Sequence, residues 1–324
     1  MALFRRKERE PTLKIFYAAD IHGSETCWGK FLNAATYYEV DLLIMGGDLT
    51  GKAMIPIVQT GERSWEGELL GRKAELRSED ELEQFEKQVR FNGFYPYRCE
   101  LDEVIAMEQD EDLRHRRFDQ VMRRDTERWM EIADQRLRDS GIPCLAMPGN
   151  DDQDFIGDLL SQARAIENCD EQIVDWGSYQ ILSLGYSNPT PWDSPRELSE
   201  EELAERIDRL AQRLDGTRPA IFNLHPPPHD TGLDSAPELN EDLSLAGGAH
   251  ARMVPVGSHA VRAAIERYGP VLSLHGHIHE SRGSARIGPS LALNPGSEYN
   301  VGVLKGVIVQ VTDRSVIGHQ FVSA

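Results

Sequence analysis

Five short apolar runs are spread along this chain, and each of them ends abruptly at a polar residue. The four runs after the first occupy residues 41–45, 142–147, 220–224 and 271–274. Runs of this length without polar alternation are typical of strands that are buried on both faces. In open α/β sheets, ligands bind beyond the carboxyl ends of such strands. The pattern therefore predicts an α/β fold in which polar residues that are distant in sequence meet at one edge.

The polar residues at these ends are aspartate, asparagine and histidine. Asp20-Ile21-His22 ends the first run, and His275-Gly276-His277-Ile278-His279 follows the last one. Residues at i and i+2 on a strand or its extended exit point the same way, so both side chains of a pair can reach one point. Imidazole and carboxylate together suit a transition metal such as Mn, Fe or Zn. A metal site is therefore the leading hypothesis.

The motifs follow one another in a specific order from Asp20 to His279. They read Asp-x-His, Gly-Asp, Gly-Asn-x-Asp, His and Gly-His-x-His. This order resembles the calcineurin-like metallophosphoesterase superfamily, and Asn294-Pro295-Gly296-Ser297 resembles its small prokaryotic members. The resemblance implies two metal ions and seven ligands. One ion would be held by Asp20, His22 and His279, the other by Asn150, His225 and His277, with Asp48 bridging both.

The resemblance also implies the architecture. It predicts a four-layer α/β/β/α sandwich of two mixed sheets flanked by helices, with residues 1–324 forming a single metallophosphoesterase domain. Residues 52–141 would be an insertion that serves as a lid or an oligomer surface. Within it, residues 55–76 resemble a hairpin, and residues 78–91 have helical periodicity behind a capping serine. Residues 101–138 predict one long or two shorter helices.

The implied function is metal-dependent phosphoester hydrolysis. Two divalent cations can clamp a phosphate and lower the pKa of bound water toward about 7, which supplies a hydroxide at neutral pH. Mn or Fe is favoured among Mn, Fe, Zn, Co and Ni, and phosphodiesters are favoured over phosphomonoesters. The alternative is a non-catalytic metal-binding scaffold with the same fold, because some members of the superfamily have lost catalytic residues.

One position departs from the family pattern. Many members carry histidine directly after the asparagine of the Gly-Asn motif, where it is proposed to protonate the leaving group, but this chain has Asp151. Asp151 with a raised pKa, His229 in the proline-rich loop, or a metal-bound water could replace that acid. A leaving group that needs little protonation is the other solution. The identity of the general acid therefore stays open.

Charge and composition restrict the partners. A formal net charge of −19 argues against general nucleic-acid binding, because a phosphate backbone needs a basic face. A small phosphorylated substrate remains compatible, since metal ions reverse the local charge. Residues 1–11 lack the apolar core of a secretory signal, and no apolar stretch is long enough to span a membrane. The four cysteines show no CxxC spacing, so we expect free thiols in a cytoplasmic protein.

Several other residues have simpler interpretations. Asp152 and Asp154 are expected to cap a helix over residues 152–165, and His275 is expected to be a hydrogen-bonding or strand residue. Residues 226–256 predict an irregular loop that shapes the substrate pocket. Helices are expected over residues 199–214 and after Ser258, whose capping role is favoured over phosphate binding. Three histidines with no partner pattern are expected at the surface: His115, His250 and His319.

Overall fold

The computed structural model describes residues 12–138, 140–240, 242–246 and 252–324. Residues 1–11, His250 and part of the predicted loop over 226–256 lie outside the described residues. The strands are β1 (Leu13–Ala18), β2 (Leu42–Met45), β3 (Met54–Gly61), β4 (Ser64–Leu69), β5 (Arg72–Leu76), β6 (Tyr95–Cys99), β7 (Cys144–Ala146), β8 (Glu167–Asn168), β9 (Gln172–Trp176), β10 (Tyr179–Leu184), β11 (Ala220–Leu224), β12 (Ser235–Pro237), β13 (Met253–Pro255), β14 (Leu272–Leu274), β15 (Gly283–Ile287), β16 (Ser290–Asn294), β17 (Lys305–Val311) and β18 (Val316–Ser323). The helices are α1 (Glu25–Tyr37), α2 (Glu79–Phe91), α3 (Leu101–Gln109), α4 (Glu111–Leu137), α5 (Phe155–Gln162), α6 (Glu200–Ala211) and α7 (His259–Tyr268).

Two six-stranded mixed sheets form the centre of the molecule. The first has the order β18-β17-β1-β2-β7-β8 and the second has the order β15-β16-β14-β11-β10-β9. In each sheet the inner strands are parallel: β1, β2 and β7 in the first, and β10, β11, β14 and β16 in the second. The carboxyl ends of these parallel strands carry the predicted site residues.

The core shows why the strand sequences are apolar without alternation. Ile15 and Ile44 face the second sheet, whereas Phe16 and Leu43 pack on the other side of the first sheet against α1, α4 and α5. The second sheet is covered on its far side by α6 and α7. Because both faces of each sheet are buried, the inner strands are apolar along nearly their whole length. The result is the predicted α/β sandwich of two mixed sheets flanked by helices.

The region between β2 and β7 differs from the predicted hairpin plus helices. It contains a four-stranded sheet in the order β5-β4-β3-β6, in which β6 runs parallel to β3. Strand β5 was not predicted, because the turn before it lacks the usual Asn-Gly or Asp-Gly signal. This turn, Leu70-Gly71, has two left-handed residues (φ 52 and 77). A small apolar core between this sheet and α2 includes Ile57, Trp65 and Phe85.

The long helix of this region belongs to the main core. Residues 101–138 form two helices, because Asp110 has an extended backbone and its side chain accepts a hydrogen bond from Leu113 N (2.9 Å) at the start of α4. Trp129 of α4 stacks on Trp28 of α1 with ring centroids 5.4 Å apart. The second half of the predicted insertion therefore supports the first sheet directly.

The helices and the loop predicted in the second half of the chain are confirmed in part. Ser199 and Glu202 form a capping box at α6, and Ser258 caps α7. The helix expected over 152–165 is shorter, and Asp154 at its start makes no side-chain capping bond. Within 226–256, β12 and β13 pair as short antiparallel strands, and at three residues each they are too short to show alternation. The four cysteines are free and buried, and within the described residues no helix is long and apolar enough to cross a membrane.

Candidate metal centre

The seven predicted ligands come together at the carboxyl edges of the parallel strands. Each of these ligands follows a strand that was predicted from the sequence. Asp20 and His22 follow β1, Asp48 follows β2, Asn150 follows β7, His225 follows β11, and His277 and His279 follow β14. The first four belong to the first sheet and the last three to the second. The centre therefore lies across the seam between the two sheets.

The backbone at the site is strained. Asp20, His22, Asp48 and His277 have positive φ angles of 58, 36, 53 and 66°. A residue with a side chain is held there at a cost of about 1–3 kcal/mol, and such residues cluster at functional sites. The left-handed conformation turns each strand exit sharply, so consecutive side chains are redirected toward the seam.

One group of side chains could hold a first ion. It consists of Asp20, His22 and His279, and one ligand atom of each lies within 4.8 Å of the others. The Nε2 atoms of His22 and His279 are 3.1 Å apart, and His279 Nε2 is 3.8 Å from Asp20 Oδ1. Asp20 is held in place by a backbone amide, since His277 N donates to both of its carboxylate oxygens at 3.0 Å.

A second group could hold another ion. It contains Asp48, His225 and His277, again with ligand atoms within 4.8 Å of one another. The amide oxygen of Asn150 lies 3.0 Å from His225 Nε2 and 2.8 Å from His277 Nδ1. His225 Nδ1 lies 2.8 Å from Gly46 O and donates to it, which leaves Nε2 unprotonated and directed at the centre when the ring is neutral.

Asp48 lies between the two groups. Its Oδ2 atom is 3.6 Å from His22 Nε2 and 3.4 Å from His225 Nε2. The other oxygen, Oδ1, accepts a hydrogen bond from Asp151 N at 3.0 Å, which fixes the plane of the carboxylate. The geometry is that of a carboxylate able to bridge two ions.

The chemistry of the donor set fits divalent transition metals. Asp20 and Asp48 are buried, with 0% and 2% exposure, while burial lowers the pKa of three neighbouring imidazoles, His22, His277 and His279, and keeps them neutral. Two buried carboxylates without matching cations are costly. The two facing Nε2 atoms of His22 and His279 would also repel unless one is protonated or both bind a cation. Nitrogen and oxygen donors of this kind suit Mn, Fe or Zn.

Two glycines allow the loops to approach so closely. A Cβ at Gly149 would lie 2.2 Å from Asp48 Oδ1, and a Cβ at Gly276 would lie 2.5 Å from Asp20 Oδ2. Both distances are far shorter than any van der Waals contact. The glycines of the Gly-Asn and Gly-His motifs are therefore required by the positions of the two carboxylates.

Asp152 does not cap a helix, contrary to the sequence-based expectation. Its buried carboxylate accepts hydrogen bonds from three backbone amides, Leu49 N at 3.0 Å, Thr50 N at 2.8 Å and Gly149 N at 2.7 Å. These donors belong to the two loops that carry Asp48 and Asn150. Asp152 thus fixes one loop against the other, a long-range role that its local sequence does not reveal.

His275 is a buried hydrogen-bonding residue beside the centre. Its Nδ1 lies 2.8 Å from Leu224 O and 3.0 Å from Pro226 O, so it donates to the chain on either side of His225. Burial lowers the pKa of His275 to about 4. A neutral ring with a fixed donor therefore positions the loop that carries His225.

Asp151 is an ion-paired carboxylate. Its Oδ2 contacts Lys52 Nζ, and its Oδ1 accepts a hydrogen bond from Ser194 Oγ at 2.7 Å. Burial alone would raise the pKa of Asp151, but the Lys52 ammonium and the Ser194 hydroxyl hold the pKa of this carboxyl below its usual range. A general acid needs the opposite shift. Asp151 and Lys52 thus form a charge pair beside the centre, and the role of Asp151 as general acid stays a prediction.

His229, the other candidate acid, has its own partners away from the two ligand groups. Its ring contacts that of His259, with centroids 3.9 Å apart and the planes tilted by 38°, and Nδ1 lies 3.8 Å from Asp234 Oδ2. Asp234 in turn accepts backbone hydrogen bonds from Asp230 and Gly257. His229 therefore belongs to the packing of the proline-rich loop onto α7.

Two residues that border the site, Lys52 and Tyr299, were not predicted from the sequence. Lys52 is half-exposed, and Tyr299 packs its ring on His22 with centroids 4.7 Å apart. Beyond Tyr299 and His279 lies a cavity of about 470 Å³ that is also lined by Arg282 and Lys305. Lys52 had no sequence signal beyond its place after the Gly-Asp loop. Tyr299 follows the Asn294–Ser297 motif, which was the one available pointer to it.

About half of the chain is similar in sequence to a known protein. No protein-family model matches the chain. An uncharacterized protein of Methanocaldococcus jannaschii, MJ1162, is 30% identical over 154 residues, which are 47% of this chain and 62% of that protein. The match thus spans less than two thirds of that relative.

Solved structures extend the likeness over nearly the whole chain. TT1561 of Thermus thermophilus has a TM-score of 0.52 at 14% identity, with 94% of this chain and 100% of that chain covered. YfcE, a phosphoesterase from E. coli, has a TM-score of 0.30 at 14% identity, with 95% and 98% covered. The likeness to TT1561 and the two packed sheets agree with the α/β sandwich that the resemblance in the sequence predicted.

The bridging position of Asp48 leads to a test. Asp48→Asn removes the negative charge nearest to both groups, so we expect lower occupancy of both ions, measured by elemental analysis after metal loading and gel filtration. Asp102→Asn, an exposed position on α3, is the matched control and should retain the wild-type metal content. Two tightly retained ions in Asp48→Asn would contradict the bridging role.

The protonation of His225 predicts a pH dependence of metal binding. Burial would lower the pKa of His225, but the carboxylates of Asp48 and Asp20 raise it to about 9. Burial raises the pKa of Asp20 to about 7, so between pH 7 and 9 an incoming ion must displace one proton, that of His225. In this range the apparent affinity for Mn²⁺ should fall as pH falls, by about tenfold per pH unit. Calorimetric titration in buffers of different ionisation enthalpy measures both the affinity and the released proton. Equal affinity across this range, with no proton release, would contradict it.

Proposed function

We propose that the protein is a metal-dependent phosphoester hydrolase that acts on phosphodiesters in preference to phosphomonoesters. The observation that carries the proposal is the pair of ligand groups that meet at Asp48, across the seam of a metallophosphoesterase fold. Mn or Fe as the resident metals, a small phosphorylated substrate and a cytoplasmic location are parts of the same proposal. So is assembly into a homo-oligomer through the region between β2 and β7.

The site can accept an anion in spite of the acidity of the chain. Four of the seven ligands are neutral imidazoles or become so when a metal binds, and Asn150 adds no charge. Two bound divalent cations would neutralise phosphate charge and activate a water molecule as the nucleophile. With Asp20 and Asp48 as the two acidic ligands, the loaded centre has a net positive charge.

The residues of the chain orient these groups. Gly46 O fixes the tautomer of His225, the amide of His277 fixes Asp20, and Asp151 N fixes Asp48. Each of these three ligands is thus held by a backbone group before an ion arrives. This preorganisation is what a hydrolytic centre needs, because little reorganisation remains for the moment of reaction.

Lys52 supplies a fixed positive charge at the rim. Its ammonium is held by Asp151, whose Oδ2 lies 3.9 Å from His22 Nδ1, so the pair borders the group of Asp20, His22 and His279. A lysine held in this way can interact with a phosphate oxygen that is not bound to metal. Asp151 is therefore best described as the residue that positions Lys52.

The same pair supports the preference for diesters. With no histidine at position 151 to protonate the leaving group, a bound metal ion would have to stabilise the departing alkoxide, as it can for a diester. The absence of a carboxyl with a raised pKa at position 151 also favours leaving groups that depart with little protonation. Both arguments act in the same direction.

Activity on chromogenic esters tests the proposal. We expect the Mn²⁺-loaded protein to hydrolyse bis(p-nitrophenyl) phosphate with a higher kcat/KM than p-nitrophenyl phosphate, and to lose activity when the metal is removed by a chelator. His225→Ala should be inactive, whereas His115→Ala, an exposed histidine on α4, should be unaffected. If neither ester is hydrolysed with Mn²⁺, Fe²⁺, Co²⁺, Ni²⁺ or Zn²⁺, the protein is a metal-binding scaffold instead.

The roles of Lys52 and Asp151 can be separated by leaving-group dependence. If Asp151 positions Lys52, Asp151→Asn and Lys52→Ala should both lower kcat/KM by about 10- to 150-fold, the range expected for a hydrogen bond to a charged group. The loss should be equal for p-nitrophenyl and alkyl leaving groups. Lys52→Arg keeps the charge and should retain most of the activity. A loss restricted to poor leaving groups in Asp151→Asn would instead make Asp151 the general acid.

A further inference from the structure

An exposed tryptophan projects from a loop beside the candidate metal centre. Trp192 is 64% exposed and lies between β10 and α6, in a segment rich in proline. Tryptophan side chains are highly buried on average, so the exposure of this one beside a candidate site needs a physical explanation. The hydrogen bonds of the loop that carries Trp192 determine where the ring can lie.

The loop is rigid, because it is closed by one carboxylate. Glu197 accepts hydrogen bonds from the backbone amides of Thr190 (2.8 Å) and Ser194 (3.0 Å), and Trp192 N donates to Thr190 Oγ1 at 3.2 Å. Three prolines further restrict its backbone; they are Pro189, Pro191 and Pro195. The indole is therefore held out by an ordered turn.

The same loop is attached directly to the site. Ser194 Oγ donates to Asp151 Oδ1 at 2.7 Å, and Arg196 N donates to Asn150 O at 3.1 Å. The guanidinium of Arg196 is buried, with 4% exposure for the residue, and its Nε donates to Gly149 O at 3.1 Å. The loop is thus fixed to the segment 149–151, which carries a metal ligand.

These contacts limit how far Trp192 can lie from the centre. Its Cα is two residues from that of Ser194, so the two Cα atoms are at most about 7.6 Å apart. Ser194 touches Asp151, and Asp151 touches Lys52. Trp192 thus lies on a loop that is joined to the Lys52 ammonium through Ser194 and Asp151.

We propose that Trp192 is a specificity-determining residue that stacks on a planar aromatic or heterocyclic group of the substrate. This inference rests on the proposed phosphoester hydrolysis and goes beyond it, because it assigns the kind of ester group that the site selects. Lys52 contacts the phosphate and the indole of Trp192 contacts the ring attached to it. Stacking of a planar ring on an aromatic side chain strengthens binding by about 5- to 150-fold.

Binding of phosphonates, which cannot be hydrolysed, tests this directly. Calorimetry on the Mn²⁺-loaded protein would compare methylphosphonate with phenylphosphonate and 2-phenylethylphosphonate, which share one anionic group but place a ring at two distances. We expect at least one of the aromatic ligands to bind about 5- to 150-fold more tightly than methylphosphonate. Trp192→Ala should abolish this preference without changing the affinity for methylphosphonate, and Trp192→Phe should keep most of it.

Tyr37 provides the matched control. It is 79% exposed, like Trp192 an aromatic residue on the surface, but it ends α1, about 18 Å along the helix from the site end at Glu25. Tyr37→Ala should leave every affinity unchanged. A ring preference that survives in Trp192→Ala, or no ring preference in the wild type, would overturn the inference. Loss of the proposed function has a different signature, since a scaffold would hydrolyse neither chromogenic ester whatever its phosphonate affinities.

Discussion

The face-to-face packing of the two sheets is the constraint on which the site depends. Each of the two ligand groups takes side chains from both sheets: Asp20 and His22 meet His279, and Asp48 meets His225 and His277. Neither of these two groups is complete without the other sheet, although His22, Asp48 and Asp151 of the first sheet also lie close enough together to hold an ion. The apolar layer between the two sheets, which includes Ile15, Ile44, Ile181 and Leu272, therefore fixes the distances between ligands as well as the stability of the fold. Metal binding and sheet packing are linked, because an ion that binds only the folded centre also stabilises the packed sheets.

The sequence predicted the architecture and the residues that meet at the seam because both depend on short-range patterns in a specific order. An apolar run that ends in Asp20 or Asp48 can be recognised one segment at a time, and the order of segments identifies the fold. Lys52 and Trp192 could not be found in this way, because their surroundings are created by other loops. Asp152 was assigned to a helix cap on the basis of its neighbours in sequence, whereas its actual donors are Leu49, Thr50 and Gly149. Strand β5 of the four-stranded sheet was not predicted, because the turn before it, Leu70-Gly71, has an unusual sequence.

Asp151 stands where many members of the family that the sequence resembles have histidine, and it is held in place by two partners. A carboxylate in place of an imidazole would add negative charge beside Asp48, and the Lys52 ammonium neutralises it. The hydroxyl of Ser194 satisfies the second oxygen of the same carboxylate. One substitution relative to the family pattern is therefore accompanied by two partners from separate loops. These partners connect the rim of the centre to the rigid turn that carries Trp192.

The two chain segments that form the first ligand group are far apart in the sequence. His22 and His279, whose Nε2 atoms are 3.1 Å apart, are separated by 257 positions. During synthesis, the first sheet can gather β1, β2 and β7 early, but its outer strands β17 and β18 and the last histidines emerge at the end. The nascent chain thus carries Asp20, His22 and Asp48 without their partners for most of its elongation, and closing so long a loop is entropically unfavourable until the second sheet has formed. Because His277 and His279 follow β14, the centre can be completed only after strands from both sheets, β1, β2, β7, β11 and β14, have all been synthesised.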